Sequence, residues 1–197
     1  MNFYDEFQKK LTENFKNSVF AEKTLVFGEG AKMPLLMMIG EAPGGDEEKQ
    51  GRPFVGKAGK NLSAFLEVIG LRREEIYISN VVKLRPTKES PKTGKKVNRP
   101  PSGEEIAFFL PYLEEEIAWI SPKVIVTLGN VPLKAVTGKK NIVIGDVHGK
   151  PYPLQEGMVL FPLYHPAAVI YNQALSDTYR EDLLALKVFL STGLGGN

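Results

Sequence analysis

Residues Met37–Asn61 read MMIGEAPGGDEEKQGRPFVGKAGKN, and the order of residue types here decides the fold class. The apolar run Leu35-Leu36-Met37-Met38-Ile39 halts at Gly40. Glu41-Ala42-Pro43-Gly44-Gly45 follows, then the acids Asp46-Glu47-Glu48, then a second glycine-punctuated loop from Gly51 to Gly59. Only after that loop does a helical pattern begin. A short continuous apolar run bounded by turn signals reads as a strand buried on both faces, the kind found in parallel sheets. Open α/β sheets bind ligands at the carboxyl ends of such strands. Glycines there let backbone N–H groups approach a ligand without side-chain obstruction. The stretch is read as a strand, then the floor of an active site, then a helix.

Outward from it, the same alternation recurs. Phe3, Phe7, Leu11 and Phe15 share one face of a helix over 2–16, and Leu62, Phe65, Leu66 and Ile69 mark a helix over 59–69 that Gly70 stops. Ile76–Val82 is a second strand, and the basic segment 83–101 is broken by Pro86, Pro91, Gly94, Pro100 and Pro101. Ser102-Gly103-Glu104-Glu105 has capping-box spacing and opens a helix to about Ile120, which Pro111 should kink. Val124–Leu128, Asn141–Val147 and Met158–Pro162 read as further strands. Asn130 caps a short helix ending at Gly138, and a last helix over 176–190 precedes a frayed STGLGGN tail. Strands alternating with helices predict one three-layer α/β/α sandwich around a mostly parallel four-stranded sheet, spanning 1–197 as a single domain.

Composition narrows the chemistry. The chain has 197 residues, 43% apolar and 24% charged, which suits a soluble globular protein with a sizeable core. It shows neither a membrane-length apolar run nor the apolar core of a signal peptide, so a cytoplasmic location is expected. The absence of cysteine excludes disulfides, thiol nucleophiles and cysteine-ligated zinc or iron–sulfur sites, and only two histidines are present. Net charge is +2, yet Lys83, Arg85, Lys88, Lys92, Lys95, Lys96 and Arg99 crowd one segment against the single acid Glu89. That density fits a phosphate backbone, or else a solvated loop.

The predicted strand ends carry Gly40-Glu41, Asn80, Gly129-Asn130 and Tyr164-His165. A carboxylate, a carboxamide and an imidazole thus converge on one edge of the sheet. Each has an ordinary alternative: Glu41 as a helix cap, Asn80 bonding a loop backbone, His165 as a turn residue before Pro166. Gly51-Arg52-Pro53-Phe54-Val55-Gly56-Lys57 fits the start of a phosphate-binding P-loop. Ala58 stands where that motif needs a magnesium-holding hydroxyl, and the loop begins about a dozen residues after its strand, which argues against nucleoside triphosphate hydrolysis.

Five blocks occur in one order: Gly40-Glu41-Ala42-Pro43-Gly44, Gly51–Gly59, Asn80-Val81-Val82-Lys83-x-Arg85-Pro86, Asn98-Arg99-x-Pro101 and His165-Pro166-Ala167-Ala168. Together with Val26-Phe27-Gly28-Glu29-Gly30 upstream, they resemble the thermostable, family 4 uracil-DNA glycosylases over about residues 25–190. The resemblance implies a DNA repair enzyme that hydrolyses the N-glycosidic bond of a flipped-out uracil and starts base-excision repair. It implies Phe54 as the stacking aromatic, Asn80 as reader of the pyrimidine edge, and His165 against uracil O2. Gly40, Glu41, Ala42 and Glu47 match pocket positions, with Glu41 and Glu47 the candidates for water activation, because Ala42 stands where other uracil glycosylases carry an aspartate base. Lys57, Lys83, Arg85, Asn98, Arg99 and Ala168 are the expected DNA contacts, and the apolar run Ala167–Tyr171 is either a wedge into the DNA stack or the start of a packed helix. The expected partner is uracil-containing DNA, single- or double-stranded, bound by a monomer with no membrane association.

One departure concerns a cofactor. Members of the resembled family hold an iron–sulfur cluster on cysteines, and this chain has none. Leu84 and Phe109 stand where two ligands would be, and the other two positions fall near Glu13 and Lys16. No metal or cofactor is expected, with a hydrophobic plug in the cluster's place. Two alternatives stay open: a relative acting on another deaminated base such as hypoxanthine, and a non-catalytic nucleic-acid-binding relative.

Overall fold

The computed structural model describes residues 3–193. In chain order it contains α1 (Phe3–Lys16), β1 (Glu29–Gly30), β2 (Leu36–Gly40), α2 (Gly45–Gln50), α3 (Lys57–Ile69), β3 (Tyr77–Asn80), β4 (Thr87–Glu89) and β5 (Lys96–Asn98). There follow α4 (Gly103–Ile120), β6 (Val124–Leu128), α5 (Asn130–Thr137), α6 (Ile144–Val147), β7 (Tyr152–Pro153), β8 (Val159–Leu163), α7 (Pro166–Tyr171) and α8 (Ser176–Val188). The main sheet has the order β1-β3-β2-β6-β8-β7. Its four central strands are mutually parallel, as the alternating pattern predicts. The sheet is nevertheless six-stranded, because two-residue antiparallel strands, too short for any period to show, close its edges.

Alternation along β2 explains the layers. Leu36 and Met38 face one side and Met37 and Ile39 the other, and all four are 0% exposed. The first side packs with Leu62, Phe65 and Leu66 of α3 and Leu183 and Leu186 of α8. The second packs with Phe7, Leu11 and Phe15 of α1 and Phe109 and Leu113 of α4. The side chain of Phe3, placed on the α1 stripe from sequence, lies outside the described residues, as does the tail over 194–197. Ser102 caps α4 as its spacing predicts: Ser102 Oγ accepts from Glu105 N at 3.1 Å and Glu105 Oε2 from Ser102 N at 2.7 Å. The helix is continuous through Pro111. No helix among the described residues is long and apolar enough to cross a membrane.

Two segments differ from expectation. The strand predicted over Asn141–Val147 is instead α6, since Asn130 Oδ1 accepts from Ile144 N at 2.8 Å and starts a helical turn. Val143 is 46% exposed, so the apolar run does not mark a buried strand. The basic segment, predicted to be irregular, forms a β4–β5 hairpin with Lys88 opposite Val97 and Glu89 opposite Lys96. Its turn is closed by Ser90 N to Lys95 O and Gly94 N to Ser90 O, both 2.9 Å, with Gly94 at φ 64. The proline and glycine that break the pattern therefore form the turn between two strands.

Candidate active site

The carboxyl ends of β2 and β3 are held in register, with Gly40 opposite Asn80. Past the strands, Val81 N donates to Gly40 O at 2.9 Å and Val82 N to Glu41 O at 3.1 Å. Asn80 is 3% exposed, and its Oδ1 accepts no hydrogen bond from any described group. A buried carbonyl left without a donor is costly, so it marks a place where a ligand N–H belongs. A Cβ at Gly40 would lie 2.5 Å from both Asn80 Oδ1 and Phe54 Cζ, so only glycine lets these two groups meet. Phe54 is 6% exposed. A Cβ at Gly59 would lie 2.0 Å from Phe54 O, which makes glycine obligatory at the first turn of α3 as well.

His165 reaches the same place from the end of β8, as the cap of α7. Its ring centroid lies 6.1 Å from that of Phe54, with the planes 31° apart. His165 Nδ1 accepts from Ala167 N at 3.1 Å, so the proton of the neutral ring sits on Nε2. Burial pushes the pKa of His165 down to about 4, opposed only in part by the charge of Glu47, and the ring is neutral at pH 7. From α3, Asn61 Nδ2 donates to Pro166 O at 3.3 Å and ties the histidine turn to the helix behind the pocket.

These groups surround a cavity of about 300 Å³, and a second hollow of about 210 Å³ shares Ala42, Gly44, Asn98 and His165 with it. The two candidate carboxylates differ. Glu47, in the first turn of α2, accepts from Gly44 N at 3.1 Å through Oε2 and from Val55 N at 3.0 Å and Gly56 N at 2.8 Å through Oε1. It stitches the two glycine loops together. Glu41 lines the second hollow; burial raises its pKa, and no described side chain bonds its carboxylate.

The expected DNA contacts divide in the same way. Lys57 is exposed at the start of α3 on the cavity wall. Arg85 Nε donates to Asn98 Oδ1 at 2.7 Å and Nη1 to Glu48 Oε2 at 3.1 Å, holding the hairpin base against α2 beside the cavity. Arg99 is engaged at both Nη atoms by Glu105, at 2.7 and 2.8 Å. Ala168 is half-buried in α7, and of the expected wedge the side chains of Ile170 and Tyr171 lie outside the described residues. Lys83 is a correction. It is 0% exposed, and its Nζ donates to Glu116 Oε2, Ser79 Oγ and Asn80 O. A lysine committed to a buried ion pair under the sheet is not a DNA contact.

The plug predicted from sequence has a physical counterpart. Leu84 and Phe109 are 0% exposed in one core cluster, with the Phe15 ring 6.1 Å and the Phe108 ring 4.9 Å from that of Phe109. Glu13 and Lys16 are exposed on α1. No group of His, Cys, Asp or Glu among the described residues could hold a metal ion, so the residues present do not fit a cysteine-ligated cluster.

Sequence reading missed the helix α2, the backbone-bridging work of Glu47, and the tie made by Asn61. The capping relation of Gly44 with Glu47 was the available signal for α2.

A profile of the uracil DNA glycosylase superfamily matches residues 27–186. The type-4 uracil-DNA glycosylase of Sulfurisphaera tokodaii is 41% identical over 167 residues, which cover 81% of this chain and 72% of that one. Those of Saccharolobus solfataricus (40% identical, covering 86% and 78%) and Archaeoglobus fulgidus (35% identical, covering 92% and 90%) are similar along most of their lengths. The chain belongs to the uracil DNA glycosylase superfamily, alongside the type-4 enzymes.

Proposed function

We propose that the chain is a uracil-DNA glycosylase that cleaves the N-glycosidic bond of uracil flipped out of DNA and so initiates base-excision repair. Family membership supports this reading, and one observation carries it: the unpaired, buried Oδ1 of Asn80 beside the Phe54 ring. A carboxamide there accepts from uracil N3–H and donates to O4, a pattern that cytosine cannot meet. Phe54 stacks on the extruded base, recovering on the order of 1–3 kcal/mol of the cost of unstacking it.

Bond cleavage leaves an oxocarbenium-like sugar and a uracil anion. The Nε2–H of neutral His165 donates to O2, where negative charge develops as the base departs. Water then adds to the sugar carbon. Glu41, with a free carboxylate in the adjoining hollow, is the better placed of the two acids to orient that water or stabilise the cation, because Glu47 is occupied by three backbone N–H groups. DNA phosphates meet Lys57, Arg85 and Asn98 at the rim, Ala168 of α7, and the exposed lysines Lys88, Lys92, Lys95 and Lys96 of the hairpin. The site is complete within one chain, which supports action as a monomer.

The enzyme works without an iron–sulfur cluster, its place taken by the Leu84–Phe109 packing. Elemental analysis of purified protein gives no stoichiometric iron on this account, and one cluster's worth of iron per chain contradicts it. Incubation with single-uracil and single-hypoxanthine oligonucleotides, followed by alkali, tests the activity. Cleavage at uracil supports the proposal, cleavage confined to hypoxanthine moves the substrate, and binding without cleavage makes the chain a non-catalytic relative.

A further inference from the structure

Phe54 adopts φ 52, in the left-handed region where a residue with a Cβ is strained. Such a conformation persists only where the surroundings over-determine it. Here one arginine holds the carbonyls on both sides of the strained residue's own nitrogen and Cα. Arg73, from the single helical turn Arg73–Glu75 that precedes β3, donates through Nη1 to Phe54 O at 3.0 Å and through Nη2 to Pro53 O. Its other edge is held by Glu29 of β1: Nε and Nη2 lie 3.3 and 2.9 Å from Glu29 Oε1. The same carboxylate takes Arg52 Nε at 2.8 Å and Nη2 at 2.9 Å. Burial alone raises the Glu29 carboxyl, but Arg52 and Arg73 outweigh it and hold its pKa below the ordinary value. One carboxylate on the sheet edge thus anchors the guanidinium of Arg73, which holds the Pro53 and Phe54 carbonyls, and that of Arg52 at the start of the same segment, and neither Glu29 nor Arg73 lines the cavity.

Resting on the reading of Phe54 as the base platform, we propose that Arg73, locked by Glu29, is the positioning residue that fixes Phe54 before the base arrives. The planar guanidinium suits the task, because two carbonyls on one side and a carboxylate on the other need a rigid fork of donors. A lysine ammonium supplies no such fork. Gly59 completes the device by letting α3 close directly on the Phe54 carbonyl. Preorganisation of this kind raises rate, since the aromatic wall need not be ordered at the moment of reaction.

The test is a double-mutant cycle in single-turnover uracil excision, with Arg73→Gln, Phe54→Ala and the double variant, and with Arg73→Lys as a milder form. Arg73→Gln lowers the rate about 10- to 100-fold, the scale on which a misplacement of about 1 Å costs activity. The double variant is no more than about threefold slower than Phe54→Ala, because Arg73 acts through Phe54. Losses that multiply overturn the inference. A second readout is independent of catalysis: amide hydrogen exchange across residues 52–59 speeds up in Arg73→Gln and in Glu29→Gln, while β6 and β8 stay protected. Unchanged exchange in that segment also overturns it. A wild-type chain that excises no uracil defeats the glycosylase reading instead, and the exchange result then decides the clamp alone.

Discussion

The backbone N–H of Ala167 donates to Nδ1 of His165 at 3.1 Å, and that contact dictates what the imidazole offers the pocket. With Nδ1 filled, a neutral ring has its one N–H on Nε2, on the edge away from its own helix. The reaction in the proposed mechanism develops charge on a carbonyl oxygen, and a neutral donor meets it without first needing a proton from solvent.

The pH dependence follows from that ring. Its pKa is lowered from the ordinary 6.5 to about 4, so the neutral form dominates at pH 7 and persists into mild acid. The ring therefore puts no break in single-turnover excision at pH 6.5 and enters only near 4, whereas an earlier fall that vanishes in Glu41→Gln reports Glu41, whose pKa burial raises. Stability has the same sign. Between those two values the unfolded chain binds a proton that the folded chain refuses, so stability declines as pH is lowered across the window. His165→Ala removes the ring's contribution to the acid limb and lowers the rate by about 10²–10³. An acid limb at 6.5 that persists in Glu41→Gln contradicts the burial argument.

Asn80 separates function from stability. Its Oδ1 is a buried acceptor with no donor, so Asn80→Leu, close in volume, removes an unsatisfied group. The thermal midpoint of this variant should hold or rise while uracil excision drops by about 10⁴ or more, the scale of discrimination of a hydrogen-bonding site. Excision that survives the change rules out Asn80 as the reader of the base.

The two carboxylates should respond differently to amidation. Glu47→Gln exchanges an acceptor of three backbone N–H bonds for a poorer one, so it lowers the thermal midpoint and loosens the Gly44 and Val55-Gly56 loops. Glu41→Gln should leave the midpoint near that of the wild type and lower single-turnover rate about 10²- to 10⁴-fold if the carboxylate handles water, the range of general-base contributions. Unchanged rates in both remove carboxylate catalysis from the mechanism.

Lys83 tests the reassignment from DNA contact to core. Lys83→Met strands the Glu116 carboxylate in the interior and costs on the order of 3–5 kcal/mol in denaturant titration. Lys83→Met combined with Glu116→Gln recovers much of that. The salt dependence of DNA binding should not change in the double variant, whereas loss of a phosphate contact lowers the slope by about 1.

Much of this was legible in Leu35–Gly59, where a buried strand runs into glycines and acids. The parallel sheet, the gathering of Asn80 and His165 at strand ends, and the capping box at Ser102 all follow from local pattern. Lys83 did not, because a lysine four residues past Ser79 reads as surface until Glu116, far along the chain, is seen to lie beneath it. The Arg73–Phe54 tie was hidden for the same reason: its acceptors are backbone carbonyls, which carry no sequence signature. Asn141–Val147 misled because apolar residues at i and i+3 serve a helical turn as well as a strand, and the deciding contact comes from Asn130.

The most direct measurement is the single-turnover rate on two oligonucleotides that differ only in one base, uracil or cytosine, with purified protein in excess. Rapid release of free uracil and an alkali-labile site are expected in the first, and cytosine left intact at least about 10⁴-fold longer in the second. No excision of uracil, or excision of both bases at similar rates, contradicts the glycosylase reading.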